Sequence, residues 1–561
     1  MKLEPKTAAR LVEEHDLYWD DLRPRMRKMK SAYETNYWDR TQEARGQIII
    51  ETSRAYEFIE GYIASLFSRN PSVIVKGDVR GRGDSMKAQS LVNQFLLSIR
   101  AQVEDASRLA LIYPCAFIKM SPVDHPDVFR RVRTTPIKPW DIIVDDKADG
   151  WDEQRFVGHR YWVPLHKAKA LWGNRQYKPQ AKKAFLDKHE KDSAKQSDLE
   201  SDDYDQFIQV VEFYDLVEDR LLVWSPNYAE GKKWLFDGGD IEINGETKKI
   251  RRIPFRTADD HPVLPISPVF YSRLPDNPVR GYSALHRVYD QIQEVNISRT
   301  FQANAVRKAS RQWLVEKGVI DAEAMAKIAL GQDGEFIEVE LSPGQTLAGT
   351  VQPIPHTPTP PEIQYYIEQV QTDLDRGSVM APFTRGQASS RATATEITAL
   401  ASYSHSEVGR LARERDGSIE KLARIYVSMM SMYLDDTRDM LIMNGTAQVL
   451  SPKDLAGDFS YFAQDSGSTP MSEAQKKGEL LGAIALLMEL GVPADALRGE
   501  VVRLLDLPES FNEVAPQGPP GMPGRMPPGA PVAAPETAPS DLGLMPGGLP
   551  SPDQIAKLLP S

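Results

Sequence analysis

The sequence predicts an α+β fold that is mainly α. Three observations carry this: an apolar stripe repeating every eleven positions over residues 393–434, helical spacing of aromatic and aliphatic residues over 7–68, and a middle section where β-branched residues alternate between turns. In the stripe, Ile397, Val408, Ile419 and Met430 form one row, Leu400, Leu411, Leu422 and Tyr433 a second, and Ala401, Ala412, Ala423 and Leu434 a third. Eleven residues over three turns is about 3.67 per turn, so the stripe stays on one face with little supercoiling. Such a helix is roughly 60 Å long at about 1.5 Å per residue. Thr393 and Glu396 have capping-box spacing at its start. Gly409 and Gly417 each weaken a helix interior by about 1 kcal/mol relative to Ala, which points to a kink or close helix packing there.

The remaining elements follow in chain order. Residues 7–68 read as helical, with Leu17, Tyr18, Leu22, Tyr33, Ile59, Tyr62 and Ile63 at helix spacings. Residues 79–85 read as an exposed turn holding Arg82-Gly83-Asp84, a tripeptide short enough to arise by chance. A helical stretch over 86–112 leads into strands at 115–120 and 129–132, after which Pro136 and Pro139 punctuate the chain before Ile142, Ile143 and Val144. Strands are expected again at 207–214 and 221–224, followed by Gly-rich polar turns through Gly245, making an α+β section with antiparallel strands. Residues 282–310 read as one long helix with Leu285, Val288, Tyr289, Ile292 and Val295 on one side and a polar later half that includes Arg299, Arg307 and Lys308. A small module with strands at 336–339 and 350–354 comes next, closed by a Pro-rich run over 353–361. A helix from Glu362 then carries Ile363, Ile367, Val370 and Leu374. After the long helix, a strand is expected at 458–463 and a helical pair at 472–505. Beyond Glu513 the Pro, Gly, Ala and Met composition predicts a disordered tail with a short helix near 555–559.

Composition narrows the functional classes. A chain of 561 residues, 41% hydrophobic and 26% charged, accommodates two to four structural domains. Cys115 is the only cysteine, so no intramolecular disulfide framework or cysteine-rich zinc site is possible, and a small buried apolar role is expected for it. The start of the chain lacks the apolar core of a signal peptide, so the protein is expected to stay where it is made. The best apolar run, 480–488, is too short for a membrane span. A net charge of −11 argues against gripping nucleic acid over the whole surface, though not against DNA passing over a local one.

Enzymatic signals are weak. The phosphate-loop pattern G-x-x-x-x-G-K-[ST] and the G-x-S-x-G elbow are missing, and His189-Glu190 is followed by Lys191, Asp192 and Ser193 instead of a second zinc-binding histidine. The strongest catalytic candidate is Asp145 and Asp146 with Asp149, Asp152 and Glu153, which could bind Mg²⁺ in a metal-dependent nuclease if they converge. Neighbours on a strand point to opposite faces, so a solvated turn is the simpler reading. His125, His159, His166, His261, His286, His356 and His405 are scattered without ligand spacing. Between two strong helices lies Thr384-Arg385-Gly386-Gln387-Ala388-Ser389-Ser390-Arg391, small, polar and basic; it reads either as a plain connection or as a loop presented to phosphate.

Four segments carry a resemblance: Trp140-Asp141-Ile142-Ile143-Val144-Asp145; Pro265-Ile266-Ser267-Pro268 with Arg273; Gly281-Tyr282-Ser283; and Arg391-Ala392-Thr393-Ala394-Thr395-Glu396-Ile397. In order and spacing across about residues 10–505 the chain resembles the portal proteins, or head-to-tail connectors, of tailed bacteriophages, especially the short-tailed type. The resemblance implies a wing at 1–280, stem helices at 281–310 and 362–376, a clip at 311–361 and a channel or tunnel loop at 377–392. A long kinked wing helix with its following segment would occupy 393–457 and a crown 458–510. The tail, 511–561, is matched by no family motif. It further implies a homo-oligomeric ring, commonly of twelve subunits, at the capsid portal vertex of the virion, assembled in the bacterial host cytoplasm. Double-stranded DNA would pass without sequence reading. The partners would be the major capsid protein, the terminase packaging motor and a tail adaptor protein, with scaffolding and internal core proteins as further candidates, and no membrane insertion. No catalytic residue, metal or cofactor is implied. The residues placed at the DNA channel are Arg385, Gly386, Gln387, Ser389, Ser390 and Arg391, with Arg307 and Lys308. A monomeric helical scaffold is the other rival reading.

Overall fold

The computed structural model describes residues 3–37, 48–68, 70–77, 80–125, 128–182, 185–186, 206–237, 239–243, 246–250, 253–274, 277–309, 313–315, 351–353, 361–377, 394–434, 439–443 and 446–463. The chain divides into Met1–Ala483 and Ile484–Ser561, and every described residue belongs to the first unit. The expected strand at 336–339, the pair at 472–505, the channel loop and the tail lie outside the described residues, as does Thr393 of the expected capping box.

Helix α1 (Pro5–Tyr33) buries Ala8, Val12, His15, Trp19, Met26 and Met29, a stripe at intervals of three, four and seven. Leu17, expected on this side, is instead 63% exposed, because the stripe centres on Trp19; Tyr18, Leu22 and Tyr33 pack at its margin. A second helix, α2 (Arg54–Leu66), buries Phe58, Ile59, Tyr62 and Ile63. Strand β1 (Val73–Lys76) leads to α3 (Ser85–Ser98) and α4 (Arg100–Ile112), which split the expected 86–112 helix at Ile99. The Arg82-Gly83-Asp84 turn has a structural explanation. Asp84 caps α3 by accepting from the Met86 and Lys87 amides at 3.0 and 3.2 Å, and Gly83 has φ +75°, with the Asp454 carbonyl 2.8 Å from where a Cβ would sit.

Strands β2 (Ala116–Pro122) and β3 (Val132–Ile137) follow. The strand expected at 129–132 starts only at Val132, because Val128–Arg130 forms a 3-10 turn. Pro136 lies inside β3 opposite Ile118 and does not interrupt it, since β3 is the edge of its sheet and its missing N–H faces no partner. Next come β4 (Ile142–Val144), β5 (Phe156–Pro164), α5 (Leu165–Trp172), β6 (Phe207–Asp215), β7 (Arg220–Trp224) and β8 (Phe236–Asp237), whose strands form an antiparallel sheet in the order β4-β5-β6-β7-β8. In place of the turns expected up to Gly245, β9 (Gly239–Ile243) and β10 (Glu246–Ile250) pair as a hairpin. Strand β11 (Ile266–Val269) joins β2 and β3 in the order β11-β2-β3, and β12 (Arg273–Leu274) pairs with β13 (Asn277–Gly281).

The expected helix over 282–310 begins later, as a 3-10 turn at Leu285–Arg287 and then α6 (Tyr289–Ala309). Beyond it β14 (Trp313–Val315) pairs antiparallel with β15 (Val351–Pro353), and α7 (Pro361–Gly377) and α8 (Ala394–Tyr433) follow. The hairpin of β16 (Met440–Met443) and β17 (Thr446–Val449) precedes β18 (Ser460–Ala463), which pairs with β1.

Helix α8 runs unbroken for 40 residues, and its second half is the centre of the main core. Val408, Ile419 and Met430, then Leu411 and Leu422, then Ala412, Ala423 and Leu434 are all buried and Tyr433 is half-buried, so from Val408 onward the three rows lie where the eleven-residue repeat puts them; the side chains of Ile397, Leu400 and Ala401 lie outside the described residues. Tyr426 stacks on Phe95 of α3 with ring centroids 3.7 Å apart. The end of α8 is held by Arg131, which donates to the Tyr433 carbonyl at 2.9 Å and grips buried Asp439 with both terminal nitrogens at 2.6 and 2.8 Å. Among the described residues neither Gly409 nor Gly417 is closely packed: a Cβ at either would meet none of their atoms within 4 Å.

Leu422→Ala is therefore expected to lower unfolding stability by about 2–5 kcal/mol. Gly409→Ala and Gly417→Ala should each raise it, by up to about 1 kcal/mol, in the dissociated subunit. Denaturant titration of the subunit checks both signs.

Candidate functional site

Helices α6 and α7 pack against each other on either side of the β14–β15 pair. Along the 3-10 turn and the start of α6 the side chains of Leu285, Val288, Tyr289, Ile292 and Val295 are buried as their spacing predicts; on α7 Ile367, Val370 and Leu374 are buried at i, i+3 and i+7. The same helices expose large apolar groups, Phe301 at 58% and Ile297 on α6, Tyr365 at 71% and Tyr366 on α7. Of the residues expected at a DNA channel, Arg307 and Lys308 fall in the last turn of α6. Arg385, Gly386, Gln387, Ser389, Ser390 and Arg391 lie outside the described residues.

The polar later half of α6 does something the sequence reading missed. Asn296, Thr300 and Asn304, one turn apart, bond to alternate residues of a segment ahead of α2. Asn304 accepts from the Ile48 amide at 2.9 Å and donates to its carbonyl at 2.7 Å. The Thr300 hydroxyl accepts from the Ile50 amide at 3.0 Å, and Asn296 accepts from the Thr52 amide at 3.0 Å and its hydroxyl at 2.7 Å. The Asn-x-x-x-Thr-x-x-x-Asn spacing was the available signal.

Two of the resemblance segments lie close to where α6 leaves the sheets, while Arg391, Ala392 and Thr393 of the fourth lie outside the described residues. In Pro265-Ile266-Ser267-Pro268, Ser267 donates to the Ser418 carbonyl at 3.3 Å and Ser418 donates back to the Pro268 carbonyl at 2.8 Å, fastening β11 to α8. Arg273 pairs with Glu414 of α8 at 2.9 Å. A Cβ on Gly281 would lie 1.9 Å from the Pro114 carbonyl oxygen, so no other residue fits without backbone movement. Ser283 donates to the Ile112 carbonyl at 2.7 Å, satisfying the end of α4, and accepts from the His286 amide at 3.3 Å as the 3-10 turn begins.

The acidic cluster disperses. Asp145, buried at the end of β4, is bound by the Arg155 guanidinium, which holds its carboxyl below the usual range. Asp146 is gripped by Arg280 at 2.8 and 2.7 Å, and Asp152 pairs with Lys421 of α8. Three carboxylates thus go to three separate cations, and no group of three or more His, Cys, Asp or Glu among the described residues is placed to hold a metal ion. Arg280 is itself buried and lies over the Tyr18 ring, 3.3 Å from its centroid. Cys115 is buried as expected, and burial pushes its thiol up to about 12, which removes it as a nucleophile at neutral pH. Among the described residues no helix is long and apolar enough to cross a membrane.

Two histidines set a pH dependence. His15 bonds through Nε2 to the Trp140 carbonyl at 3.0 Å, and burial, helped by Arg160, lowers it to about 3. His159, buried with Lys119 Nζ 3.1 Å from its Nδ1, is also held well below its ordinary value, first by burial and then by that lysine. Both are neutral in the fold but take protons when unfolded below about pH 6.5, so their contribution is complete above that pH and is lost as pH falls. Asp141, raised by burial to about 6, acts in the opposite sense, gaining stability as pH falls from about 6 towards 4, and offsets one histidine over that window. Thermal unfolding between pH 7 and 5 should show stability falling with acid. His15→Gln, which retains a donor for Trp140, should flatten that slope by up to about 1.4 kcal/mol per pH unit.

Comparison with known proteins gives this junction a family. No curated protein matches the chain. Among solved structures, a chain of the "Neck of empty GTA particle computed with C6 symmetry" aligns with a TM-score of 0.37 and 10% identity, over 82% of this chain and 90% of that one, a likeness too distant for any conclusion to rest on. The family described as "Phage P22-like portal protein" matches residues 133–453, which is more than half the sequence and takes in the β4–β8 sheet, α6, α7, α8 and the hairpin after it. The chain belongs to the P22-like portal protein family.

Proposed function

We propose that this portal protein acts as a ring-forming subunit of a short-tailed-phage connector, commonly twelve copies, through which double-stranded DNA is packaged, retained and ejected. The observation that carries the reading is the order of parts inside the family match: a helix, a small β-paired insertion, a second helix packed on the first, and then a 40-residue helix. On this reading α6 and α7 are the stem, residues 311–361 the clip, 377–392 the channel loop, 1–280 with α8 the wing, and 458–510 the crown. The exposed Phe301, Ile297, Tyr365 and Tyr366 support it, since apolar groups of this size on packed helices suit contact with the neighbouring copies of a ring.

The chain carries 79 acidic against 68 basic residues, and a channel poor in cations lets a phosphate backbone slide where a basic lining would hold it. Arg385 and Arg391, with Arg307 and Lys308, would supply the transient phosphate contacts. The role is structural, not enzymatic, at the portal vertex of the virion after assembly in the host cytoplasm, with capsid protein, terminase motor and tail adaptor as partners. The separate ion pairs of Asp145, Asp146 and Asp152 weigh against the nuclease reading.

Native mass spectrometry and negative-stain images of the full chain should give closed rings of about twelve subunits; a monomer at micromolar concentration would favour the helical-scaffold reading instead. Replacing Arg385 and Arg391 together by Ala should leave rings intact and reduce DNA packaging and retention in assembled heads. Wild-type packaging by such rings would remove the DNA-contact role. Purified wild-type protein with Mg²⁺ should leave DNA uncut.

A further inference from the structure

The contact between α6 and the segment before α2 has the geometry of a sheet ladder in which one strand is replaced by a helix face. In an extended chain the N–H and C=O of one residue point to the same side and every second residue repeats the pattern, about 6.6 Å apart. Side chains four residues apart on a helix repeat at about 6 Å. These periods match closely enough for three consecutive rungs: Ile48 on Asn304, Ile50 on Thr300, Thr52 on Asn296. The end rung is reciprocal, as in a strand pair, because a carboxamide both accepts and donates. Asn304 Nδ2 also donates to the Thr300 carbonyl at 2.8 Å, which orients it. Between the rungs, Glu51 turns the other way and accepts from the Tyr37 amide beyond α1 at 2.7 Å. Thr52 adjoins Ser53, the residue preceding α2.

We propose that residues 48–52 are a strap that locks the axial register and rotation of α6 to the ends of α1 and α2, so that displacement along α6 is transmitted to those helices. Only one register fills all three rungs. A slip of one turn in one direction would set buried, apolar Ile292 against the strap, and in the other Lys308, which can donate but cannot accept an amide proton. Sliding by a full turn would therefore leave one strap residue without its rung, and sliding by less would break all three, so α6 moves with α2 or the strap opens. The lock acts within one subunit and does not depend on ring formation.

Hydrogen–deuterium exchange on the full-length chain tests this. In the wild type the Ile50 and Thr52 amides should be protected although they belong to no helix or strand. Thr300→Val keeps the shape and removes the acceptor. It should speed exchange across 48–57 by about tenfold, the loss of roughly one hydrogen bond, while 361–377 stays unchanged. Thr300→Ser, which keeps the hydroxyl, should restore protection. Asn304→Ala, at the exposed end, should free Ile48 first. The proposal is overturned by unprotected strap amides in the wild type, by wild-type exchange in Thr300→Val or Asn304→Ala, or by equal loss in the Val and Ser variants, which would mean that Thr300 acts through packing alone. Faster exchange throughout α8 in both Thr300→Val and Asn304→Ala also counts against it, because the strap would then be inseparable from the core.

Discussion

Burial of one face of α8 between Val408 and Leu434 is the constraint from which the rest of the arrangement follows. That face receives α2, α3, β1, β2, β11, β18 and the turn Pro452–Leu455, so elements more than 300 residues apart in sequence share one surface. A helix that must offer partners along its length can have no interior break and no polar residue on the buried rows. The buried exceptions are paired: Arg415 donates to the Leu66 carbonyl at the end of α2 and to Asp416, and Ser418 bonds to the Pro268 carbonyl. Arg415 thus fixes the end of α2, and Ser418 fastens β11 to the seam.

A second layer of constraint comes from arginines that join loops to this frame. Arg131 closes the end of α8 on Asp439, Arg160 reaches the Trp140 carbonyl and Asp16 of α1, and Arg280 holds Asp146 while covering Tyr18. Guanidinium groups suit this use because they stay charged when buried and bond in several directions at once. Similar pairing disperses the acid-rich turn: Asp145, Asp146 and Asp152 are each committed to a different cation.

How far the sequence could be read depends on the range of the forces involved. The eleven-residue rows of α8, the buried residues of α6 and α7 and the strands β6 and β7 were legible, because each is a local period imposed by burial on one face. β5 was not. It is the second strand of its sheet, with β4 and β6 on either side, and Phe156, Tyr161 and Trp162 on it are all partly buried, so no alternation marks it. Leu17 was misplaced because helical spacing gives a stripe but not its centre, which Trp19 sets through distant Trp140. The pairs Arg280–Asp146, Arg131–Asp439 and Arg273–Glu414 span more than 130 residues each, and nothing local encodes them.

The family motifs sit between these extremes, and their chemistry is that of packing. Gly281 is required by a carbonyl oxygen, Ser283 by the open end of α4, and Ser267 by the backbone of α8. Gly281 leaves no room for a side chain and each serine hydroxyl is committed to a backbone carbonyl, so these short strings have a packing role. They also lie at one place, the passage from the sheets into α6, where the Asn296–Thr300–Asn304 ladder begins less than four turns further on. A helix anchored by steric fit at its root and by a three-rung ladder along its side has little freedom to slide against the body that carries it. That stiffness comes from the fit around one glycine and from side-chain-to-backbone hydrogen bonds, added to the hydrophobic burial of Val288, Tyr289, Ile292 and Val295.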